Sequence, residues 1–490
     1  MAVTTHQIML LLLLQAGLLS AIASLSADSL LRVPLQRELV PIQRNGQVVS
    51  NKLSFSGSVS IGSPPQKFRT VMDTGSGHVI IPSERCQSKA CLAHRRYNIT
   101  ASRTGSAVNA DGSKVESLEL ADQLTIGFGT GQVLGEFAEE EVCLSSNSTS
   151  HEETSMECVG VRIITAVEMS EQPFTTFSFD GILGLGLSAL SFSPEFSFFE
   201  AWSTQSTGKR QFAFFLTEQD EASPSELLIG GHDEAQTLEP LSWVPVTKPD
   251  MGYWQLEIKA VRVNGMELDF CRSGGCRGVF DTGTSHIGVP APFDKELLRL
   301  LTFPEARLKS HDCRLAAAPD LEIEVPGLNL TLQPQHYMRE KPLQKDIRLS
   351  ESGGVLIQSE ESERPQRSSS GLRGESAESK ERFCRPRLMP VKLPEPLGPK
   401  LFLLGEPLLQ RYYTVFDWDS QQIGLGLAAN RRNINSMKAA EAKRQEEKQR
   451  QQAKPQQVDE IILLQLPRTS TVTKTTMVQE PEEEVCEEPF

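Results

Sequence analysis

Two aspartates in this chain stand in nearly identical surroundings, one in each half of the sequence. Asp73 opens the segment Asp73-Thr-Gly-Ser-Gly-His-Val-Ile-Ile-Pro82, and Asp281 opens Asp281-Thr-Gly-Thr-Ser-His-Ile-Gly-Val-Pro290. Asp, Thr, Gly, His and Pro coincide in register between the two segments. Two carboxylic acids held in contact cannot both stay ionised. One keeps a proton while the other acts as a base, so such a pair can activate a water molecule.

The residues that follow each aspartate suit a reactive carboxyl group. The threonine can tie the two loops together, the glycine lets neighbouring backbone approach and donate N–H groups, and the next hydroxyl can hold the outer carboxylate oxygen. These supporting residues are Thr74, Gly75, Ser76, Thr282, Gly283 and Thr284. The histidines at equal places, His78 and His286, are interpreted as structural, with tuning of the acid pair as the alternative.

The loops must be positioned by strands, because short β-rich runs and glycine turns continue from Leu53 to about Ala428. At 490 residues the chain exceeds one ordinary core, so we expect more than one folded unit in an all-β body. The best helix candidate is Phe293–Leu301, and Pro194–Trp202 is weaker. The strand candidates are Val161–Val167, Phe212–Leu216, Leu227–Ile229, Trp254–Val263 and Leu321–Val325.

The segments outside this body differ in composition. Residues 1–23 resemble a secretory signal peptide, with an uncleaved anchor as the alternative, and 24–52 form a short lead. Residues 339–382 are rich in Ser, Glu, Arg and Lys and are predicted to be a largely disordered insertion, with Val355–Ile357 as a possible strand. Residues 429–490 form a charged tail, interpreted as a solvated helix or as disordered.

Secretion makes the nine cysteines candidates for disulfides. Their spacing suggests Cys86 with Cys91, Cys143 with Cys158, Cys271 with Cys276 and Cys313 with Cys384, leaving Cys486 in the tail. Glycosylation sequons begin at Asn98, Asn147 and Asn329. No C-x-x-C pair is present, so we expect no metal site and no cofactor. The net charge of -14 disfavours nucleic acid as a partner, and we expect a monomer without a membrane anchor after signal cleavage.

The chain resembles the pepsin family of aspartic endopeptidases from about residue 53 to 428. Val71-Met-Asp-Thr-Gly-Ser76 and Phe280-Asp-Thr-Gly-Thr-Ser285 resemble the two active-site loops of that family. Phe179-Asp-Gly-Ile-Leu-Gly-Leu185 and Leu403-Leu-Gly-Glu-Pro407 resemble the segments that pass beneath them. Leu241-Ser-Trp-Val-Pro-Val246, followed by Gly252-Tyr-Trp-Gln255, resembles the crossing between lobes.

The resemblance implies a bilobal all-β fold, with two six-stranded-barrel-like lobes, an interlobe cleft and few short helices. The lobes would span 53–243 and 244–428, and Asp73 and Asp281 would hold the nucleophilic water between them. Polypeptides would be the substrates, with apolar side chains around the cleaved bond, and the protein would enter the secretory pathway, either secreted or kept in an acidic compartment. Three of the cysteine pairs, all but Cys143 with Cys158, match the usual pairings of the family.

Two departures from the family pattern lie at the flap, the hairpin that closes over substrate. Phe128, Gly129 and Thr130 occupy the flap position, where the family usually has a tyrosine, and Ile80 replaces the tryptophan that the tyrosine hydroxyl reaches. Both partners of that hydrogen bond are absent together, which leaves no orphaned polar group. Leu31-Arg-Val-Pro-Leu35 resembles the start of a pro-segment, which is either truncated or not needed. A catalytically weak or inactive pepsin-fold binding protein is the alternative function.

Overall fold

The structure is a computed structural model, and it describes residues 30–44, 47–116, 121–128, 131–145, 156–218, 221, 223–308, 310–344 and 381–452. Residues as far as Ser436 belong to one compact unit, and a second unit begins at Met437. Strands hold more of the described residues than helices do. The strands that end before the second aspartate are β1 (Leu31–Arg44), β2 (Gln47–Ile61), β3 (Gln66–Asp73), β4 (Val79–Pro82), β5 (Ser106–Val108), β6 (Gln123–Phe128), β7 (Gly131–Ser145), β8 (Met156–Met169), β9 (Gly181–Gly184), β10 (Gln211–Phe215), β11 (Ser225–Ile229), β12 (Ser242–Pro245), β13 (Gln255–Glu257), β14 (Ala260–Val263), β15 (Met266–Glu267) and β16 (Arg277–Phe280).

The remaining strands follow the second aspartate. These strands are β17 (Ile287–Pro290), β18 (Phe303–Pro304), β19 (Leu321–Val325), β20 (Leu328–Leu332), β21 (Leu343–Gln344), β22 (Arg382–Cys384), β23 (Leu388–Val391), β24 (Leu401–Leu404), β25 (Tyr412–Asp417) and β26 (Gln422–Leu427). The α-helices are α1 (Lys89–Leu92), α2 (Phe198–Gln205), α3 (Phe293–Leu301), α4 (Pro334–Tyr337), α5 (Glu406–Leu409) and α6 (Arg431–Gln452).

One arrangement of four strands occurs twice and ends each time at an aspartate. In the first copy β3 runs parallel to β9, while β4 pairs antiparallel with β9 and parallel with β8. In the second copy β16, β24, β17 and β23 repeat the same directions in the same order. Every residue of β9 and β4 is buried, as expected for strands covered on both faces. The expected all-β, bilobal pepsin-like fold with few short helices is confirmed.

The strands of both halves also share one large sheet of 14 strands. Six of them lie together in the order β12-β26-β25-β10-β11-β1, so the last strands of the body, β25 and β26, pair with strands from its first half. These pairings join residues about 200 positions apart, for example Phe212 with Phe416. Both halves of the body thus contribute strands to one sheet.

The lead segment is part of this sheet, whereas the sequence predicted the first body strand at Leu53. Leu31 to Leu35 pairs antiparallel with β11, and the rest of β1 pairs with β2. Leu31, Val33 and Leu35 are 2%, 1% and 6% exposed. The alternation of these apolar residues with Arg32 and Pro34 is a strand pattern with one buried face. The lead is therefore a central strand of the fold.

Most predicted elements are found where the sequence placed them. The strands predicted at 161–167, 212–216, 227–229 and 321–325 are confirmed, and the stretch 254–263 divides into β13 and β14. Helix α3 has the predicted bounds and buries Phe293, Leu297 and Leu301, which are spaced for one helical face. Helix α2 begins later than predicted, because Ser197 caps it with its side chain on the Glu200 N–H.

The structure describes only part of the predicted insertion and of the predicted tail. Arg339 and Leu343 are buried and Leu343 begins β21, so the first residues of the predicted insertion belong to the folded body. Residues 345–380, including Val355–Ile357, lie outside the described residues, as do the predicted signal peptide and Cys486. Of the two interpretations of the tail, the structure has the helix: α6 runs to Gln452, with exposed side chains from Lys438 to Arg450.

Candidate active site

The two aspartates lie at the carboxyl ends of the central parallel strand pairs. Asp73 ends β3 opposite Gly184 of β9, and Asp281 follows β16 directly. The backbone beneath fixes each position, because Leu185 N donates to Asp73 O at 2.7 Å and Asp281 N donates to Leu404 O at 3.2 Å. Rigid strands therefore present both carboxyl groups.

Two threonines cross-link the loops with nearly two-fold symmetry. Thr74 N donates to Thr282 Oγ1 and Thr282 N donates to Thr74 Oγ1, both at 3.0 Å. The hydroxyl of Thr74 donates to Phe280 O at 2.7 Å, and that of Thr282 donates to Met72 O at 2.6 Å. Each threonine is therefore tied to the strand that leads into the opposite aspartate.

The two carboxyl groups lie side by side, since a Cβ atom placed at Gly283 would be 2.6 Å from Asp73 Oδ1 and 3.2 Å from Asp281 Oδ1. Gly75 N donates to Asp73 Oδ1 at 2.9 Å, and Gly283 N donates to Asp281 Oδ1 at 2.8 Å. A Cβ atom at Gly75 would lie 2.9 Å from Asp281 Cγ, and one at Gly283 would lie 2.6 Å from Asp73 Oδ1. Only glycine leaves room for the opposite acid at these two positions.

The outer oxygens of the pair are held unequally. Thr284 Oγ1 donates to Asp281 Oδ2 at 2.7 Å. The Ser76 hydroxyl faces Asp73 and favours its ionised form, but it does not reach hydrogen-bond geometry with any described residue. The six supporting residues predicted from the sequence thus surround the acids, and Ser76 is the one without the expected bond.

Burial and mutual repulsion govern how the pair titrates. Burial raises the pKa of Asp73, against hydrogen bonds that favour its ionised form. Burial, together with the nearby charge of Asp73, raises the pKa of Asp281 to about 7. The first acid to ionise suppresses ionisation of the second, so between the two steps the pair holds one proton. A carboxylic acid and a carboxylate side by side can donate and accept a proton in one reaction.

The predicted flap position lies in a hairpin of β6 and β7, which pair from Gln123 with Glu136 to Phe128 with Gly131. Gly129 and Thr130 lie outside the described residues. Phe128 packs against an apolar cluster that includes Ile80 and Phe174, and its ring lies 6.3 Å from that of Phe174 in an edge-to-face contact. Apolar side chains therefore pack around Phe128 near the tip of this hairpin.

The matching histidines of the loops are neutral and turned to structural partners. Burial lowers the pKa of His78 to about 4, and its Nε2 accepts a bond from Phe192 N at 2.9 Å. Burial first, and then nearby arginines, lower the pKa of His286, whose Nδ1 lies 2.9 Å from Ser285 Oγ. These contacts support the structural interpretation of both residues.

The structure brings two aromatic residues to the site that the sequence did not single out as site residues. Tyr253 lies near the acids: burial and then the charges of Asp281 and Asp73 raise the pKa of its hydroxyl. Trp254 is fully buried, and its indole Nε1 donates to Leu185 O at 2.9 Å. The available signal was the pair of aromatic residues after Gly252, a position with φ of 80°.

All four predicted disulfides are present in the structure. They join Cys86 to Cys91, Cys143 to Cys158, Cys271 to Cys276 and Cys313 to Cys384.

Of the three sequons, Asn329 is exposed and Asn98 is half-buried, while Asn147 lies outside the described residues. Thr100 Oγ1 donates to Asn98 Oδ1 at 2.7 Å. Glycosylation itself stays a prediction. Within the described ranges, no helix combines the length and the apolar character needed to cross a bilayer.

Comparisons with known proteins find one family model and several relatives. The family model described as eukaryotic aspartyl protease matches residues 54–362. Cathepsin E of Rattus norvegicus is 30% identical over 380 residues, which cover 77% of this chain and 80% of that protein. Cathepsin E-A of Xenopus laevis is 28% identical, with 76% and 79% covered. Gastricsin of Mus musculus is 27% identical, with 76% and 80% covered.

Proposed function

The chain belongs to the eukaryotic aspartyl protease family and is an aspartic endopeptidase, and we propose that Asp73 and Asp281 are its catalytic pair. The observation that carries this proposal is the close approach of the two carboxyl groups on loops that the threonines cross-link. Polypeptides are its substrates. No covalent bond between enzyme and substrate is needed, because a carboxylate and a carboxylic acid together can activate water and polarise the peptide carbonyl.

We assign the shared proton to Asp281, because burial and the charge of Asp73 raise the pKa of this acid. The Asp73 carboxylate then takes a proton from water while the water oxygen bonds to the carbonyl carbon of the peptide. Asp281 gives its proton to the carbonyl oxygen in the same step, so a tetrahedral diol forms. Asp73 then gives its proton to the amide nitrogen while Asp281 takes one from a diol hydroxyl, and cleavage of the carbon–nitrogen bond releases two peptides and restores the pair. The bond from Thr284 to Asp281 holds the acid in place for this exchange.

The apolar surroundings of the flap support a preference for apolar side chains beside the cleaved bond. Val133 and Phe174 are buried in the same cluster as Ile80, and Phe128 packs against it. An apolar side chain gains about 25 cal/mol for each Å² that such a surface removes from water. Substituting Phe128→Tyr together with Ile80→Trp restores the family's polar pair, and we expect it to change the rate or the side-chain preference. Unchanged kinetics would mean that Phe128 and Ile80, in place of the family's polar pair, have no effect on catalysis.

A cleavage assay tests the catalytic proposal and the alternative of an inactive binding protein. The protein from residue 24 onwards is mixed with a quenched peptide that has apolar residues on both sides of the bond, between pH 3 and 7. We expect cleavage that a pepstatin-type transition-state mimic blocks, since such mimics bind more tightly than substrate. Asp281→Asn should abolish cleavage while circular dichroism shows an intact fold. Cleavage retained in that variant would refute the assignment, and no cleavage by the wild type would favour a binding protein.

The disulfides and the sequence before the body support a place in the secretory pathway. Four disulfides form and persist in oxidising compartments rather than in the cytosol. We infer that the protein is exported or kept in an acidic vesicular compartment as a monomer, with glycans at Asn98 and Asn329. Treatment of the protein from a eukaryotic host with an N-glycosidase tests this: a lower mass is expected, and an unchanged mass would contradict glycosylation.

A further inference from the structure

We propose that Trp254 is a positioning residue that couples the two aspartate loops. This inference rests on the proposed role of Asp73 and Asp281 as the catalytic pair. The threonine cross-links are symmetric, whereas Trp254 supplies a single additional link between the two halves. It does not contact the reacting atoms in this role, since it acts through the residues next to each acid.

Trp254 reaches the neighbour of each aspartate with one hydrogen bond. On the second loop, Phe280 N donates to Trp254 O at 2.8 Å, and Phe280 immediately precedes Asp281. On the first loop, the Trp254 indole donates to Leu185 O at 2.9 Å, and Leu185 N in turn donates to Asp73 O at 2.7 Å. A single residue therefore stands between Trp254 and each acid. Leu185 is hydrogen-bonded to Asp73, and Phe280 is joined to Asp281 by a peptide bond.

The Trp254 indole is buried and packed, so it can hold the two aspartate loops in a fixed relative position. Its side chain is 0% exposed. Three aromatic rings surround it, with centroid distances of 5.8 Å to Phe212, 5.2 Å to Phe416 and 5.9 Å to Trp418. These neighbours come from β10, β25 and the turn after β25, which belong to the sheet shared by both halves. The link therefore connects the acid pair to the part of the fold that joins the halves.

The spacing of the acids decides how strongly their ionisations are coupled. Charge repulsion raises the second apparent pKa of the pair, and the hydrogen bond within the singly ionised pair lowers the first; both effects weaken as the acids separate. A looser link lets the acids separate. The acidic limb of the pH profile of kcat/KM then moves to higher pH and the basic limb moves to lower pH, so the bell narrows. Small misplacements of reacting groups can also cost about 100-fold in rate.

The test compares Trp254→Phe with Trp418→Phe. Both substitutions remove an indole N–H from the same aromatic cluster, but Trp418 Nε1 donates to Glu200 at 3.0 Å, away from the loops. The backbone bond from Phe280 persists in Trp254→Phe, so this variant removes only the link to the first loop. We expect similar losses in Tm for both variants. Only Trp254→Phe should lower kcat about 10- to 100-fold with little change in KM. Only this variant should also narrow the bell-shaped pH profile of kcat/KM.

Equal kcat values and equal pH profiles in the two variants would overturn the proposal and leave Trp254 as a core residue. If Trp254→Phe does not fold, 3-benzothienylalanine at position 254 keeps the ring shape without the N–H, and the same comparison decides. The catalytic proposal fails separately, through cleavage that survives in Asp281→Asn. An inactive Asp281→Asn with normal Trp254→Phe would contradict this inference alone.

Discussion

The stability of the fold should fall as pH rises through the titration of Asp281, and Asp281→Asn should remove that fall. The folded-state pKa of about 7 stands above the ordinary value of 3.8. A raised carboxyl pKa means that the fold favours the protonated form, so the stabilisation is complete below pH 3.8 and is lost as pH rises through 7. A difference of one in pKa corresponds to about 1.4 kcal/mol. Because part of the side chain is still accessible to water, we expect the stability lost over this pH range to be about 2 to 4 kcal/mol.

Urea unfolding followed by tryptophan fluorescence measures this effect between pH 4 and 8. Asparagine keeps the shape of the side chain and cannot ionise, so the difference between the two proteins reports the ionisation of Asp281 together with its coupling to Asp73. We expect the variant to gain in free energy of unfolding relative to the wild type as pH rises, and to be the more stable protein at pH 8. A difference that stays constant over the whole range would refute the claim that burial and Asp73 force a proton onto Asp281.

Three further substitutions test the loops and the lead strand. Thr74→Val removes both hydroxyl bonds and leaves a buried donor and a buried acceptor unpaired, so urea unfolding should show a loss of about 2 to 4 kcal/mol, with Thr74→Ser near the wild type; equal stability of the valine variant would contradict the cross-link. Gly283→Ala places a Cβ atom 2.6 Å from Asp73 Oδ1, so kcat should fall about 100-fold with an intact fold, and a normal kcat would mean that the acids are not held in contact. Val33→Ala should lower the free energy of unfolding by about 2 kcal/mol, whereas no loss would mean that the lead is dispensable.

The repeated loop was visible in the sequence because both copies carry the same residues in the same register. The acids, their glycines and their threonines could therefore be assigned before the structure, and so could the local disulfides, whose cysteines are close along the chain. Helix α3 and strand β19 were predictable for a similar reason, since a local period of apolar residues defines each of them.

What the sequence did not reveal depends on pairings between distant segments. Nothing local in Leu31–Leu35 indicates that β11 lies beside it, almost 200 residues later. The role of Trp254 likewise depends on where Leu185 and Phe280 meet it in space. Ser76 and Thr284 carry the same kind of hydroxyl donor, so the sequence pattern predicted the same bond for both. Only the geometry of the two loops distinguishes them.

Binding of a transition-state mimic tests the shared catalytic pair most directly. A crystal structure is determined with a peptide in which a hydroxyl group replaces the carbonyl of the cleaved bond. We predict that this hydroxyl oxygen lies within hydrogen-bond distance of both Asp73 and Asp281, beneath the β6–β7 hairpin. A peptide whose hydroxyl contacts neither acid, or reaches only one of them, would contradict joint action of the two carboxyl groups.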